Sequence, residues 1–237
     1  MTDPVRILIH GASGRMGQAL LRLAAGRDDL LVVAAVSRSK PTQRVVDGVP
    51  QFAVAEAHGV PAFDVAVDFS LPDGFDAVLA MCEERGAGLV SGTTGLEERQ
   101  QRAIDLAGNR MPVLWAANFS LGVAVLGDLV QRAAAALHGW DCDIVESHHV
   151  HKKDAPSGTA LALGARAEQG GLQPRYVSLR AGDIVGEHTV QLTGPGERLE
   201  LVHRATDRDV FARGALLAAQ RLAGRPPGRY RVADLFL

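Results

Sequence analysis

The sequence predicts an α/β protein: a doubly wound parallel sheet, followed by a smaller α+β unit with a mixed sheet. In the first half, short β-branched runs alternate with helical patterns, as in a parallel sheet covered on both faces. A glycine-rich turn follows the first of those runs directly. After about residue 120 the texture changes, and strand patterns follow one another with turns rather than helices between them.

Val5-Arg6-Ile7-Leu8-Ile9 reads as a buried strand and residues 30–36 as a second, with further short strands at 65–69, 88–91 and 112–115. Between them, Met16, Leu20, Leu23 and Ala24 share one helical face, as do Phe75, Val78, Leu79 and Cys82. Residues 123–137 form a long Ala-rich helix, 143–148 a strand and 159–168 another helix. Residues 176–179, 188–193 and 198–205 then read as consecutive strands, with turns at Gly182 and at Gly194-Pro195-Gly196. The last helical pattern, 210–222, resembles the Ala/Leu-rich helices of the first half and is assigned back to it; a Pro/Gly loop follows at 224–228.

Composition excludes several classes. A chain of 237 residues allows one large domain or two small ones. With 47% apolar and 22% charged residues it is neither disordered nor collagenous. Lys plus Arg number 25 against 27 Asp plus Glu, so the basic excess of a nucleic-acid binder is missing. The longest apolar run, residues 30–36, is too short to cross a bilayer. No basic segment with an apolar signal core precedes Val5. Cys82 and Cys142 are the only cysteines, which implies no disulfide framework and fits a reducing cytoplasm. The expectation is a soluble cytoplasmic protein with neither nucleic-acid nor membrane partners.

The turn after the first strand reads Gly11-Ala12-Ser13-Gly14-Arg15-Met16-Gly17, and a helical pattern follows it. In a Rossmann-type unit, one glycine permits the tight turn, another admits a pyrophosphate close to backbone N–H groups, and the last lets helix and strand pack. The helix N-terminus adds a positive dipole end. The spacing departs from the strict G-x-G-x-x-G, and the motif gains weight from its strand–turn–helix context. An acidic residue at the end of the second strand would favour NAD through a ribose hydroxyl. Here that strand ends Val36-Ser37-Arg38-Ser39-Lys40, without a carboxylate. Arg38 and Lys40 are suited to a 2′-phosphate, which predicts NADPH as the preferred cofactor with NADH use possible.

The densest chemistry lies in Glu146-Ser147-His148-His149-Val150-His151-Lys152-Lys153-Asp154-Ala155-Pro156-Ser157-Gly158-Thr159-Ala160. Small hydroxyl residues around a glycine at a helix start make an anion site from N–H groups, hydroxyls and the dipole end. His149 and Lys152 add positive charge, so a carboxylate-bearing small molecule fits this patch, and a Lys or His beside a bound anion can supply a proton. A metal site is disfavoured, because neither a cysteine pair nor H-E-x-x-H spacing is present. His151 and Lys153 read as surface residues.

This segment resembles the signature of the 4-hydroxy-tetrahydrodipicolinate (dihydrodipicolinate) reductase family of lysine and diaminopimelate biosynthesis. Four further segments match that family in order: residues 11–17; Gly92-Thr93-Thr94-Gly95; Ala116-Ala117-Asn118-Phe119-Ser120-x-Gly122-Val123; and Arg180-Ala181-Gly182-Asp183-Ile184-Val185-Gly186-Glu187-His188. The resemblance implies an NAD(P)H-dependent reduction of the hydroxylated ring with loss of water. It places the cofactor pyrophosphate on residues 11–17, and the nicotinamide against Gly92, Thr93, Thr94, Ala116, Ala117, Asn118 and Phe119. It makes His148 and Lys152 the catalytic pair, with Lys152 the stronger candidate for proton donor. It gives His149, Lys152, Ser157, Gly158 and Thr159 to the substrate's carboxylates. The implied domains are 1–120 with 208–237 for the dinucleotide, and 121–207 for substrate binding and assembly into a homotetramer. Two departures are visible: Ser37 stands where the family often has an acidic residue, and the stretch between Glu168 and Arg180, which contributes to subunit contacts in relatives, is short.

Two other readings compete with this one. An NADPH-sensing regulator without turnover accounts for the glycine loop but not for the His/Lys segment. A semialdehyde dehydrogenase needs a nucleophilic cysteine, and neither Cys82 nor Cys142 has a convincing setting.

Overall fold

The computed structural model describes residues 3–236. The chain divides into two compact units, one built from the residues up to Phe119 together with those from Phe211 onward, the other from Ser120–Val210.

The first unit opens with β1 (Val5–His10), α1 (Arg15–Ala24) and β2 (Leu30–Ser37), followed by the hairpin β3 (Val45–Val46) and β4 (Val49–Ala53) and a 3-10 turn at Val54–Gly59. It continues through β5 (Val65–Asp68), α2 (Pro72–Arg85), β6 (Gly88–Ser91), α3 (Glu98–Ala107) and β7 (Pro112–Trp115). The second unit holds α4 (Leu121–Ala136), β8 (Asp141–His148), α5 (Gly158–Gln169), β9 (Pro174–Arg180), β10 (Gly186–Gly194) and β11 (Glu197–Ala205). The chain then returns through α6 (Asp209–Leu222) to β12 (Gly228–Tyr230) and α7 (Val232–Phe236).

The larger sheet has the order β12-β7-β6-β5-β1-β2-β4-β3, parallel except for the β3–β4 hairpin. Ile7, Leu8, Ile9, Val65, Ala66, Val67, Leu89 and Val90 are fully buried, which explains why these strands read as continuous apolar runs rather than alternating ones. Strand order reverses between β1 and β5, and open α/β sheets bind ligands at the carboxyl ends of the strands flanking such a switch. His10 and the glycine loop end β1, and Asp68 ends β5.

In the second unit the order is β11-β10-β8-β9, with β8 and β9 parallel and the other pairs antiparallel. Cys142, Ile144, Val190 and Leu192 alternate with outward residues and pack beneath Leu126 and Val130 of α4 and Leu163 of α5. The doubly wound sheet and the second mixed sheet are as expected from the sequence. The β3–β4 hairpin, the 3-10 turn, α3, β12 and α7 go beyond it. Gly228, the last residue of the expected Pro/Gly loop, begins β12, an edge strand that pairs with Pro112, Val113 and Leu114.

Candidate active site

Three candidate cofactor segments of the first unit converge on Phe69, just past β5. A Cβ at Gly11 (φ 77°) would stand 2.6 Å from the Phe69 carbonyl oxygen, and one at Gly92 would stand 2.2 Å from the Phe69 ring. The Phe69 ring packs on Phe119 with centroids 5.6 Å apart. Gly17 is closed in the same way, its Cβ position 2.4 Å from the Gly11 carbonyl oxygen. Gly14 is the least crowded of the three loop glycines and serves as the N-cap of α1. The Gly11 and Ala12 N–H groups donate to Val36 O at 2.9 and 3.0 Å, fastening the loop to β2. The start of α1 has no side-chain cap and no acidic residue in its first turn, so it suits an anion. Ser13, Gly14 and Arg15 are exposed there, Met16 is half-buried, and Arg38 lies exposed two residues beyond Val36. These features fit a dinucleotide pyrophosphate.

Behind this edge lies a buried polar network that motif reading missed. The Asp68 carboxylate accepts from His10 Nδ1, Ser91 Oγ and Thr93 Oγ1, each at 2.8 Å, and from the Ser70 N–H at 3.1 Å. It thus ties the carboxyl ends of β1, β5 and β6. Burial would raise the Asp68 carboxyl, but the donors outweigh it and hold the group below the ordinary carboxylate range. The Thr93 hydroxyl is therefore directed at Asp68, while its carbonyl accepts from Trp115 Nε1 at 2.8 Å. Thr94 is exposed beside it, and Ala116 and Asn118 are half-buried and Ala117 exposed. Phe119 is buried, a core side chain whose carbonyl lies against Gly214 of α6.

In the second unit, Glu146, His188 and His203 stand side by side on the helix-facing side of the sheet, with Ser178 completing the row. Glu146 is fully buried. Its Oε2 accepts from His148 Nδ1 at 2.5 Å and Arg180 Nη1 at 2.9 Å; its Oε1 accepts from Arg180 Nη2 at 2.7 Å and the Ser157 N–H at 3.2 Å. Burial opposes ionisation, yet Arg180, Ser178 and His148 together bring the Glu146 carboxyl down to about 2. Burial lowers the His148 imidazole against the pull of Glu146, with Lys152 and Arg180 also disfavouring its charge. Burial and the neighbouring His148 and His203 push His188 down to about 4.

The loop after β8 carries Lys152, whose charge disfavours protonation of both His148 and His188. Its Nζ meets Asp154 Oδ1 at 2.9 Å. Ser157 caps α5: its hydroxyl accepts the Ala160 N–H at 3.2 Å and lies 3.3 Å from His188 Nε2. Gly158 is exposed and Thr159 half-buried in a first turn that carries no acidic residue. His149 is half-buried, its ring centroid 6.2 Å from that of His151. Ser157, Gly158 and Thr159 thus form one helix N-terminus tied to a carboxylate–imidazole pair, and His149 and Lys152 lie on the loop that leads to it. Among the described residues no group of three or more His, Cys, Asp or Glu side chains is arranged to hold a metal. Both cysteines are buried, and burial pushes the Cys82 thiol up and Cys142 up to about 11, which opposes thiolate catalysis. No helix among the described residues is long and apolar enough to cross a membrane.

A glycine-rich sheet edge of dinucleotide-binding type on one unit and a carboxylate–imidazole pair beside a helix start on the other are the features of a nicotinamide-dependent oxidoreductase of two units. Family models described as "Dihydrodipicolinate reductase, N-terminus" and "Dihydrodipicolinate reductase, C-terminus" match residues 5–119 and 122–236. The 4-hydroxy-tetrahydrodipicolinate reductase of Stenotrophomonas maltophilia (strain K279a) is 70% identical over 233 residues, 98% of either chain. That of Xylella fastidiosa (strain 9a5c) is 64% identical over 237 residues, the whole of both chains. A dipicolinate-bound dihydrodipicolinate reductase from Paenisporosarcina sp. TG-14 superposes with a TM-score of 0.81 over 99% of this chain and 100% of its own, at 21% identity, and so shares the fold. The chain belongs to the dihydrodipicolinate reductase family.

Proposed function

We propose that this protein reduces 4-hydroxy-tetrahydrodipicolinate to tetrahydrodipicolinate with loss of water, at the expense of NADPH. The observation that carries the reading is the His148–Lys152–Ser157 cluster at the start of α5, in a chain 70% identical to a reductase of that name. When bound, the reduced nicotinamide supplies the hydride. The start of α5, with Ser157, Gly158, Thr159 and His149, receives the substrate's carboxylates, and Lys152 adds the charge that attracts a dianion. The negative charge that develops towards the ring nitrogen is quenched by a proton from the Lys152/His148 pair. A regulator that only senses NADPH leaves this cluster without a purpose.

NADPH preference rests on the end of β2. Arg38 is exposed there and, among the described residues, meets only the exposed Asp73 carboxylate, at 3.5 Å. A solvated pair of this kind contributes little, so Arg38 is available to a 2′-phosphate. In an assay that supplies freshly generated hydroxy-substrate, NADPH consumption well above background is expected, with a lower KM than for NADH. Arg38→Ala should raise the NADPH KM by about 10-fold, the loss of one charge-assisted contact of ~1.5 kcal/mol. No consumption would refute the reductase reading, and an NADH preference would refute the cofactor assignment alone.

The outer face of the smaller sheet supports assembly into a homo-oligomer, proposed as a tetramer. Val177, Val145, Thr189 and Val202 form one row across its four strands, with Leu179 in the next. Val177 and Leu179 are 54% and 52% exposed in the single chain, and exposed apolar side chains gathered on one sheet face are the kind of surface that a second subunit covers. Sedimentation should give a tetramer that Val177→Glu dissociates; a monomeric wild type would refute the assembly.

A further inference from the structure

The geometry points to Glu146 as the positioning residue of the substrate site, its two carboxylate oxygens fixing the ring nitrogen that His148 offers and the start of α5 at the same time. The inference rests on the proposed reading of that site. Oε2 takes His148 Nδ1 and Oε1 takes the Ser157 N–H, while the Arg180 guanidinium forks across both oxygens. Arg180 Nη2 also donates to Asp154 O at 2.6 Å, so the same fork holds the loop that carries Lys152. Three strand or loop segments, β8, residues 154–157 and the end of β9, therefore meet on one buried carboxylate.

A carboxylate only accepts, and every group that faces this one donates. His148 must place its proton on Nδ1, which leaves Nε2 as an acceptor while the ring is neutral. Nε2 has no partner among the described residues and lies 3.1 Å from the Cβ position that Gly186 leaves empty. The burial that lowers the imidazole is consistent with a neutral resting ring. In that state His148 is an acceptor rather than a donor. The second oxygen of Glu146 acts on binding rather than on protons. By taking the Ser157 N–H it fixes the N-cap from which α5 presents its first turn.

An amide cannot replace this group. Glutamine has one accepting oxygen and one donating NH2, so Glu146→Gln sets a donor against either His148 or Ser157. If the NH2 faces His148, the ring must move its proton to Nε2 to accept from it. The expected results for Glu146→Gln are a kcat lowered by about 10- to 100-fold, a raised substrate KM and an unchanged NADPH dissociation constant, since the dinucleotide loop belongs to the other unit. Glu146→Asp keeps the charge and both acceptors and should recover part of kcat.

Proton-detected nitrogen NMR of the wild-type histidines provides the readout that a merely structural role would not move. His148 should appear with its proton on Nδ1, and in Glu146→Gln that signal should change tautomer or split. A wild-type His148 protonated on Nε2 alone would overturn the inference, even if the glutamine variant failed to fold. So would a folded Glu146→Gln with kcat and substrate KM within about twofold of wild type. A wild type that consumes no NADPH would instead remove the proposed reaction, while the tautomer measurement would still decide what Glu146 does to His148.

Discussion

Lys152→Ala is expected to lower kcat by about 10²- to 10⁴-fold, the range for loss of a positioned proton donor. The NADPH dissociation constant should stay near the wild-type value, because the dinucleotide edge lies in the first unit and Lys152 in the second. Lys152 is held from both sides of its loop. Its N–H donates to His149 O at 3.1 Å, and its Nζ lies on Asp154. Although partial burial opposes it, the Lys152 ammonium holds the Asp154 carboxyl below its ordinary range. A substrate carboxylate can take the place of Asp154 on that ammonium without leaving a buried charge alone, since Asp154 is exposed. Lys152→Arg separates charge from proton donation. It keeps the positive charge but does not release a proton near neutral pH. The substrate KM of the arginine variant should therefore lie closer to wild type than its kcat does. Stopped-flow or steady-state NADPH consumption measures both. Turnover unchanged in Lys152→Ala would remove the residue from the chemistry.

What the sequence revealed in advance follows the range of the interactions involved. The strand Val5-Arg6-Ile7-Leu8-Ile9 and the helical face of Phe75, Val78, Leu79 and Cys82 are set by local periodicity and stand out without any partner. The expected helix 210–222 could be returned to the first half because its Ala/Leu pattern matches the others. By contrast, α3 buries only Gln100, Ile104 and Ala107, too sparse an apolar stripe to read, although Glu97 and Gln100 form a capping box that could have marked its start. The β3–β4 hairpin turns on Asp47-Gly48, both at positive φ (49° and 80°), a dipeptide signal that was present but framed by strands of only two and five residues. β12 exists through pairing with Pro112, Val113 and Leu114, more than a hundred residues earlier, and nothing local announces it.

The same division runs through the site. Gly11, Gly14, Gly17, Lys152 and Ser157 sit in contiguous motifs and could be nominated from the chain alone. Glu146 and Arg180 stood inside such motifs, but their pairing spans 34 residues and could not be read from spacing. His10 and Asp68, 58 residues apart, carried no motif signal at all. Their relationship is created by the parallel register that sets His10 directly opposite Asp68. A sequence reader could have found this pair only by asking which polar residues end two neighbouring buried strands.

That pair supports the second large effect. Asp68→Ala is expected to destabilise the first unit by about 3–5 kcal/mol, because a fully buried carboxylate leaves while the His10, Ser91, Thr93 and Ser70 donors remain. The melting temperature should fall by about 10 °C and NADPH affinity should fall with it, since the network underlies the loop of Thr93 and the end of β1. Asp68→Asn keeps the shape but turns an NH2 towards donors, and should recover only part of the loss. The pH dependence supplies the control. The folded Asp68 carboxyl lies below its ordinary value near 3.8, so its ionised form favours the folded state. Its contribution is complete above that value and is lost as pH falls towards the folded pKa. The stability gap between wild type and Asp68→Asn should therefore be widest at neutral pH and should close progressively below about pH 4. Thermal melts of both proteins from pH 7 to pH 3 measure it. A gap that is small at pH 7, or that stays constant on acidification, would mean that the ionised carboxylate does not hold these strand ends together.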